Sequence, residues 1–268
     1  MSKKHKEKET ASLAKTGNKK GALVPSYLQN GASMGLENIE CTDIILPRIK
    51  LMQALSPEVS NGKAKPGDMI NSLTGHNYGQ SLEFVPLLHF KSRMFWQDRD
   101  EGNAVLCSSD DAKKPKDPNA PLKIAKSLKI TGFPKAINTC NECPFGKFDG
   151  DEEDDRKKRP KCTLYYNFPI LIKGDEAPSA LAMSRTKLKV GKKLISLAIY
   201  TGESIAMFGK RYKISTVVEK KDTYSFFNYF IEPIGFVSEA EYQTTMGFYR
   251  SFKTMNVSVD AEHPEKEQ

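Results

Sequence analysis

A chain of 268 residues with 38% hydrophobic content can bury one substantial core or two small ones, and it has no run near the ~18 apolar residues of a membrane span. Its net charge of +8 is concentrated: residues 1–20 hold seven lysines against Glu7 and Glu9, which leaves +3 for the remaining 248 residues. That distribution excludes a uniformly basic surface. The charged start, with no apolar leader core behind it, makes the cytosol the expected compartment.

Residues 1–35 are rich in Lys, Ser, Gly and Asn and read as a disordered basic arm. One domain is expected over 36–257, with a flexible tail at 258–268. Arg48-Ile49-Lys50-Leu51-Met52 alternates, placing Ile49 and Leu51 on one strand face. A turn-rich stretch at 61–68 separates it from a second alternating run at 81–90. Ala104-Val105-Leu106 reads as a short strand entering Cys107, and Asp111 to Pro121, with its prolines, as a loop. Thr163 to Ile172, Leu194 to Tyr200, Lys213 to Val218 and Thr223 to Ile231 read as further strands. Ser238-Glu239-Ala240-Glu241 is a capping box, and Tyr242, Met246, Tyr249 and Phe252 follow on one helical face. The fold class is therefore mainly β, a closed barrel or sandwich with a C-terminal helix.

Cys140-Asn141-Glu142-Cys143 is followed after eighteen residues by Cys162. A C-x-x-C turn brings two thiolates to one tetrahedral ion and an intervening loop returns a third, which predicts zinc. The fourth ligand must come from elsewhere. Cys107 is the first candidate, with His76 and His89 as alternatives, while Cys41 reads as a core residue. A redox pair would need a helix starting at the first cysteine, which Ile137-Asn138-Thr139-Cys140 does not suggest. With four protein ligands the site would be structural. Within the loop, six acidic residues from Asp149 to Asp155 are followed by a basic run to Lys161 and read as a solvated, self-compensating segment.

Residues 185–213 carry Arg185, Lys187, Lys189, Lys192, Lys193, Lys210, Arg211 and Lys213 against Glu203 alone. Aromatic residues follow at 224–230, with Tyr224, Phe226, Asn228 and Phe230 on one strand face and Phe227 and Tyr229 on the other. A basic groove that tracks phosphates, combined with rings that stack bases, is the chemistry of a single-strand binder. Tyr224, Phe226, Tyr229 and Trp96, the sole tryptophan, are the candidate stacking residues. No phosphate-binding P-loop, nucleophile elbow or H-E-x-x-H helix is present, and four histidines offer little general-base material, so no enzyme is expected.

Leu46-Pro47-Arg48-Ile49-Lys50-Leu51-Met52, Lys65-Pro66-Gly67-Asp68, Val105-Leu106-Cys107-Ser108-Ser109-Asp110, the C-x-x-C-P and Pro160-Lys161-Cys162 together resemble a bacteriophage-encoded family of single-stranded DNA-binding proteins of OB-fold type. The resemblance spans roughly residues 36–250. It implies an OB-like β-barrel with a zinc-stapled insertion at 107–162 and Cys107 as fourth ligand. It further implies protection of single-stranded DNA during replication or recombination in the host cytoplasm, with proteins of those processes as partners. The mixed charge of residues 260–268 departs from the acidic tail many such proteins use for recruitment. A zinc-stabilised protein-interaction module of a phage replication or transcription complex is the competing expectation.

Overall fold

The computed structural model describes residues 45–98, 102, 104–148, 159–200, 205–221, 224–254 and 258–259. The arm at 1–35, Cys41, the charged segment 149–158, Glu203 and residues 260–268 lie outside the described residues. In chain order the elements are β1 (Ile45–Leu46), β2 (Ile49–Leu51), α1 (Pro57–Ser60), β3 (Met69–Asn71), β4 (Ser81–Pro86), β5 (Phe90–Trp96), β6 (Val105–Ser109) and α2 (Ala120–Ser127). They continue with β7 (Cys162–Ile172), β8 (Ser179–Ser184), α3 (Leu188–Tyr200), β9 (Lys210–Lys221), β10 (Tyr224–Phe236), α4 (Glu239–Thr254) and β11 (Ser258–Val259).

The main sheet is antiparallel and organised around β7. Along one edge of β7 run β5, with Phe95 opposite Cys162, and then β4, with Phe84 opposite Ile172. Leu87 N–H donates to Pro169 O between them at 2.8 Å, so residues 81–96 act as one long strand interrupted at 87–89. β8 takes the other edge of β7. Beyond β4 lie β9 and then β10, and beyond β5 lies β6.

β2 and β3 form a separate small hairpin. It approaches β8 through one parallel bridge, Arg48 to Ala180. It reaches β10 through a side chain: Gln53 Nε2 donates to Phe227 O at 3.0 Å, and Phe227 N–H donates to Gln53 Oε1 at 2.9 Å. Among the described residues no ladder closes the sheet into a barrel, because the place between β8 and β10 is filled by these single contacts rather than by paired strands.

One sheet face is lined by Phe84, Phe168, Ile170, Tyr212, Ile214 and Ile231, with Ile49, Leu51 and Met69 of the small hairpin and Val190 and Leu194 of α3 packed over them. The alternation expected at Ile49 and Leu51 is thus the core face. Leu194 to Tyr200 is not a strand. Residues 188–200 form a helix whose Val190 and Leu194 point into the core four residues apart, while the apolar run beyond them includes exposed Ile199 and Tyr200. Gly191 allows the close approach, since a Cβ there would stand 3.2 Å from the Tyr166 ring and 3.3 Å from Met183 Sδ. The opposite sheet face holds Val85, Leu87 and Phe208 under α4, and the predicted stripe Tyr242, Met246 and Tyr249 with Phe252 packs there. The capping box forms as expected: Glu241 N–H donates to Ser238 Oγ at 3.3 Å, and Ser238 N–H to Glu241 Oε2 at 3.0 Å.

Candidate functional site

The basic constellation read from residues 185–213 is divided between α3, the turn before it and the start of β9. A strand rises about 3.4 Å per residue, so the eight steps from Arg211 to Glu219 on β9 cover about 27 Å. Lys210, Arg211 and Lys213 occupy the α4 end. Lys210 is buried at 4% exposure, Arg211 donates to Glu241 of α4, and Lys213 faces Glu83 and Glu232 across its two ladders. Lys210 and Arg211 are thus engaged in contacts of the fold.

The other cations gather at α3 and the turn before it. Lys187 Nζ stands 5.6 Å from the centroid of Tyr229, and Lys193 Nζ stands 4.3 Å from that of Phe230. Lys189 pairs with Glu219 at 2.7 Å, and Glu219 also accepts from Asn228 Nδ2 at 3.1 Å. Lys192 is exposed on α3. Arg185 is exposed with a left-handed backbone, φ 51°. No acidic residue occurs from 185 to 200, so the segment itself carries only positive charge, with Glu219 of β9 set against Lys189.

The aromatic expectations divide as well. Tyr229 is 4% exposed, with its hydroxyl 3.5 Å from Ile49 O, and belongs to the core: its ring is not offered to a ligand. Tyr224 and Phe226 are half-buried with ring centroids 6.1 Å apart. Phe230, 43% exposed beneath Lys193, is the ring that the candidate set omitted. Its position on the Tyr224–Phe226–Asn228 face was the available signal. Trp96 is half-buried at the far end of β5, near Tyr165, whose ionisation is raised by burial. It is separate from the Phe226–Phe230 rings on β10.

The four predicted cysteines share one lobe. Phe95 faces Cys162 on one side and Cys107 on the other, so the three side chains project from the same sheet face. Over them fold Ile124 and Ala125 of α2, with Ile137, Cys143 and Phe145, to make a second small core. Burial pushes the Cys107 thiol up to about 11, and the nearby Cys140 and Cys143 add to the rise. At Cys162 burial pushes the thiol up to about 12, while the Arg93 guanidinium opposes the shift. Burial also raises Cys143, with the backbone N–H groups of Phe145 and Gly146 opposing the shift. His76 stands edge-on to Tyr78, and His89 stacks on Phe168 at 4.7 Å. Both accompany main-core residues, so Cys107 is the candidate that shares the lobe. Among the described residues no three Cys, His, Asp or Glu side chains stand as a ready-made ligand set.

The described residues contain no helix long and apolar enough to cross a membrane. A family model described as Pam3 phage gp34-like protein matches residues 18–258. Neither the curated proteins nor the solved structures contain a match to the chain.

Proposed function

The chain belongs to the Pam3 phage gp34-like family, and for this phage protein we propose a role in sheltering single-stranded DNA during replication or recombination, with a structural zinc ion in the cysteine lobe. The observation that carries the reading is the α3 rim, where Lys193 lies over the exposed Phe230 ring and Arg185, Lys187 and Lys192 stand nearby in sequence. A base stacked on Phe230 would take the place of the Lys193 ammonium, which is then available to a phosphate. Bases in a duplex already stack on one another, so such a site favours single strands.

The fold reading that accompanies it is an OB-type barrel, a partly open Greek-key barrel that binds oligonucleotides. Its support is connectivity: one long interrupted strand (β4 and β5) pairs with both β7 and β9, α3 links β8 to β9, and residues 47–53 stand in the remaining gap. Zinc is supported by the donor chemistry. Four thiols lie in one lobe, and Arg93 provides a cation beside them. Cys107, Cys140, Cys143 and Cys162 would hold the ion and leave no position for water, so the metal staples the lobe without taking part in chemistry.

Fluorescence anisotropy with mixed-sequence single- and double-stranded oligonucleotides over a salt series tests the reading. Three phosphate contacts at about −0.7 each give a log–log salt slope of about −2 on single strands, and Lys192→Ala with Lys193→Ala should flatten it. Phe230→Ala should cost about 1–3 kcal/mol of binding. Equal or tighter binding to duplex refutes the stacking site. Zinc-loaded protein that binds neither form at low salt would transfer the case to the protein-interaction module.

A further inference from the structure

Arg93 is a half-buried charged residue in the middle of a sheet strand, and its side chain lies against the cysteine lobe. In register it lies between Leu164 of β7 and Ser109 of β6, two residues before Phe95, whose cross-strand partners are Cys162 and Cys107. Strand alternation sends Arg93 and Phe95 to one face, the face covered by the cysteine lobe. The guanidinium lies against the C-x-x-C turn: a Cβ at Gly146 would stand 2.8 Å from Arg93 Nη1 and 3.2 Å from the Cys140 carbonyl oxygen. Arg93 Nε is buried with no hydrogen-bond partner, and no ion pair among the described residues joins it to a carboxylate.

The half-buried guanidinium lies beside the C-x-x-C turn with no carboxylate partner among the described residues, and neutral thiols would offer it no counter-charge. Four thiolates around one divalent zinc carry a net charge of −2, which is the complement the guanidinium lacks. The tight passage at Gly146 has the same logic, since any side chain there would push the guanidinium away from the turn.

Resting on the zinc reading above, we propose that Arg93 is the counter-charge of the cysteine centre and slows loss of the ion. It is a positioning residue and not a ligand. The test uses the full chain purified without added metal. Zinc content is measured by elemental analysis, and affinity by competition with a chromophoric chelator, for the wild type, Arg93→Met, Arg93→Lys, Gly146→Ala and Cys140→Ser.

The expected result is one zinc per wild-type chain, lost in Cys140→Ser. Affinity should fall about 10–100-fold in Arg93→Met, the range for groups just outside a ligand shell, with much of it restored in Arg93→Lys. Gly146→Ala should weaken affinity in the same direction by displacing the guanidinium without removing it, which keeps the test decisive if Arg93→Met does not fold. A wild type without zinc overturns the metal centre itself. A zinc-loaded wild type with unchanged affinity in both Arg93→Met and Gly146→Ala overturns the role of Arg93 alone. An Arg93→Lys variant as weak as Arg93→Met, with native circular dichroism in both, overturns charge as its cause.

Discussion

Tyr212 and Tyr78 show how the same side chain stands in opposite relation to its surroundings. Tyr212 is fully buried, its hydroxyl has no partner, and burial alone pushes its ionisation up to about 12. An unpaired buried hydroxyl costs about 1–3 kcal/mol, so Tyr212→Phe should leave the melting temperature unchanged or raise it. Tyr78 donates its hydroxyl to Asp175 Oδ2 at 2.6 Å, which ties the turn after β3 to the loop between β7 and β8. Tyr78→Phe should therefore lower stability, by about 1–2 kcal/mol for a lost bond to a charged acceptor. Thermal melts of the two variants read the contrast, and a large loss in Tyr212→Phe would mean that its hydroxyl has a partner in solution.

The docking of α4 depends on a single carboxylate with two tasks. Glu241 accepts from Arg211 of β9 and completes the cap with Ser238, and these bonds, the one from Arg211 first, lower its ionisation to about 2. A carboxyl depressed in the folded state contributes stability above its unfolded value, near 4.5, and loses that contribution as the pH falls towards 2. Glu241→Gln should therefore melt lower than wild type at pH 7, and the gap should close at pH 2. A gap that persists at pH 2 would place the effect in packing instead. Element by element, the sequence was most legible where one face meets the core and the other meets water. Ile49 and Leu51 on β2 and the Ser238–Glu241 cap are such cases, since their signals are local. α3 was misread because Leu194 to Tyr200 is apolar nearly throughout and carries no helical alternation of its own; its helical state is fixed by the cleft that Gly191 enters between Tyr166, Phe168 and Met183. β8 and α2 escaped notice for similar reasons, being short and set by their neighbours.

At the scale of the whole molecule, the cysteine spacing pointed to a shared lobe, but a charge on an alternating strand reads as solvent-facing, so Arg93 gave no sign of its position. The basic run is not legible as a groove from the sequence, because proximity along the chain says nothing of direction along a 12-residue strand: β9 holds Lys210, Arg211 and Lys213 near α4 and its Glu219 contact towards the other end.

The contact of Gln53 with Phe227 bears on how these chains behave in a crowd. β10 is 13 residues long and forms the outermost strand of the sheet, a row of peptide groups that could template a strand from another chain. The carboxamide of Gln53 offers one donor and one acceptor to the same residue, as a neighbouring strand's backbone would, and so acts as a surrogate peptide that ends the ladder. Gln53→Leu keeps the bulk and removes both bonds. It should leave the monomer folded but prone to concentration-dependent self-association, seen as faster-sedimenting species in analytical ultracentrifugation. A variant that sediments as the wild type at every concentration would show that the rim is guarded by something other than this one amide.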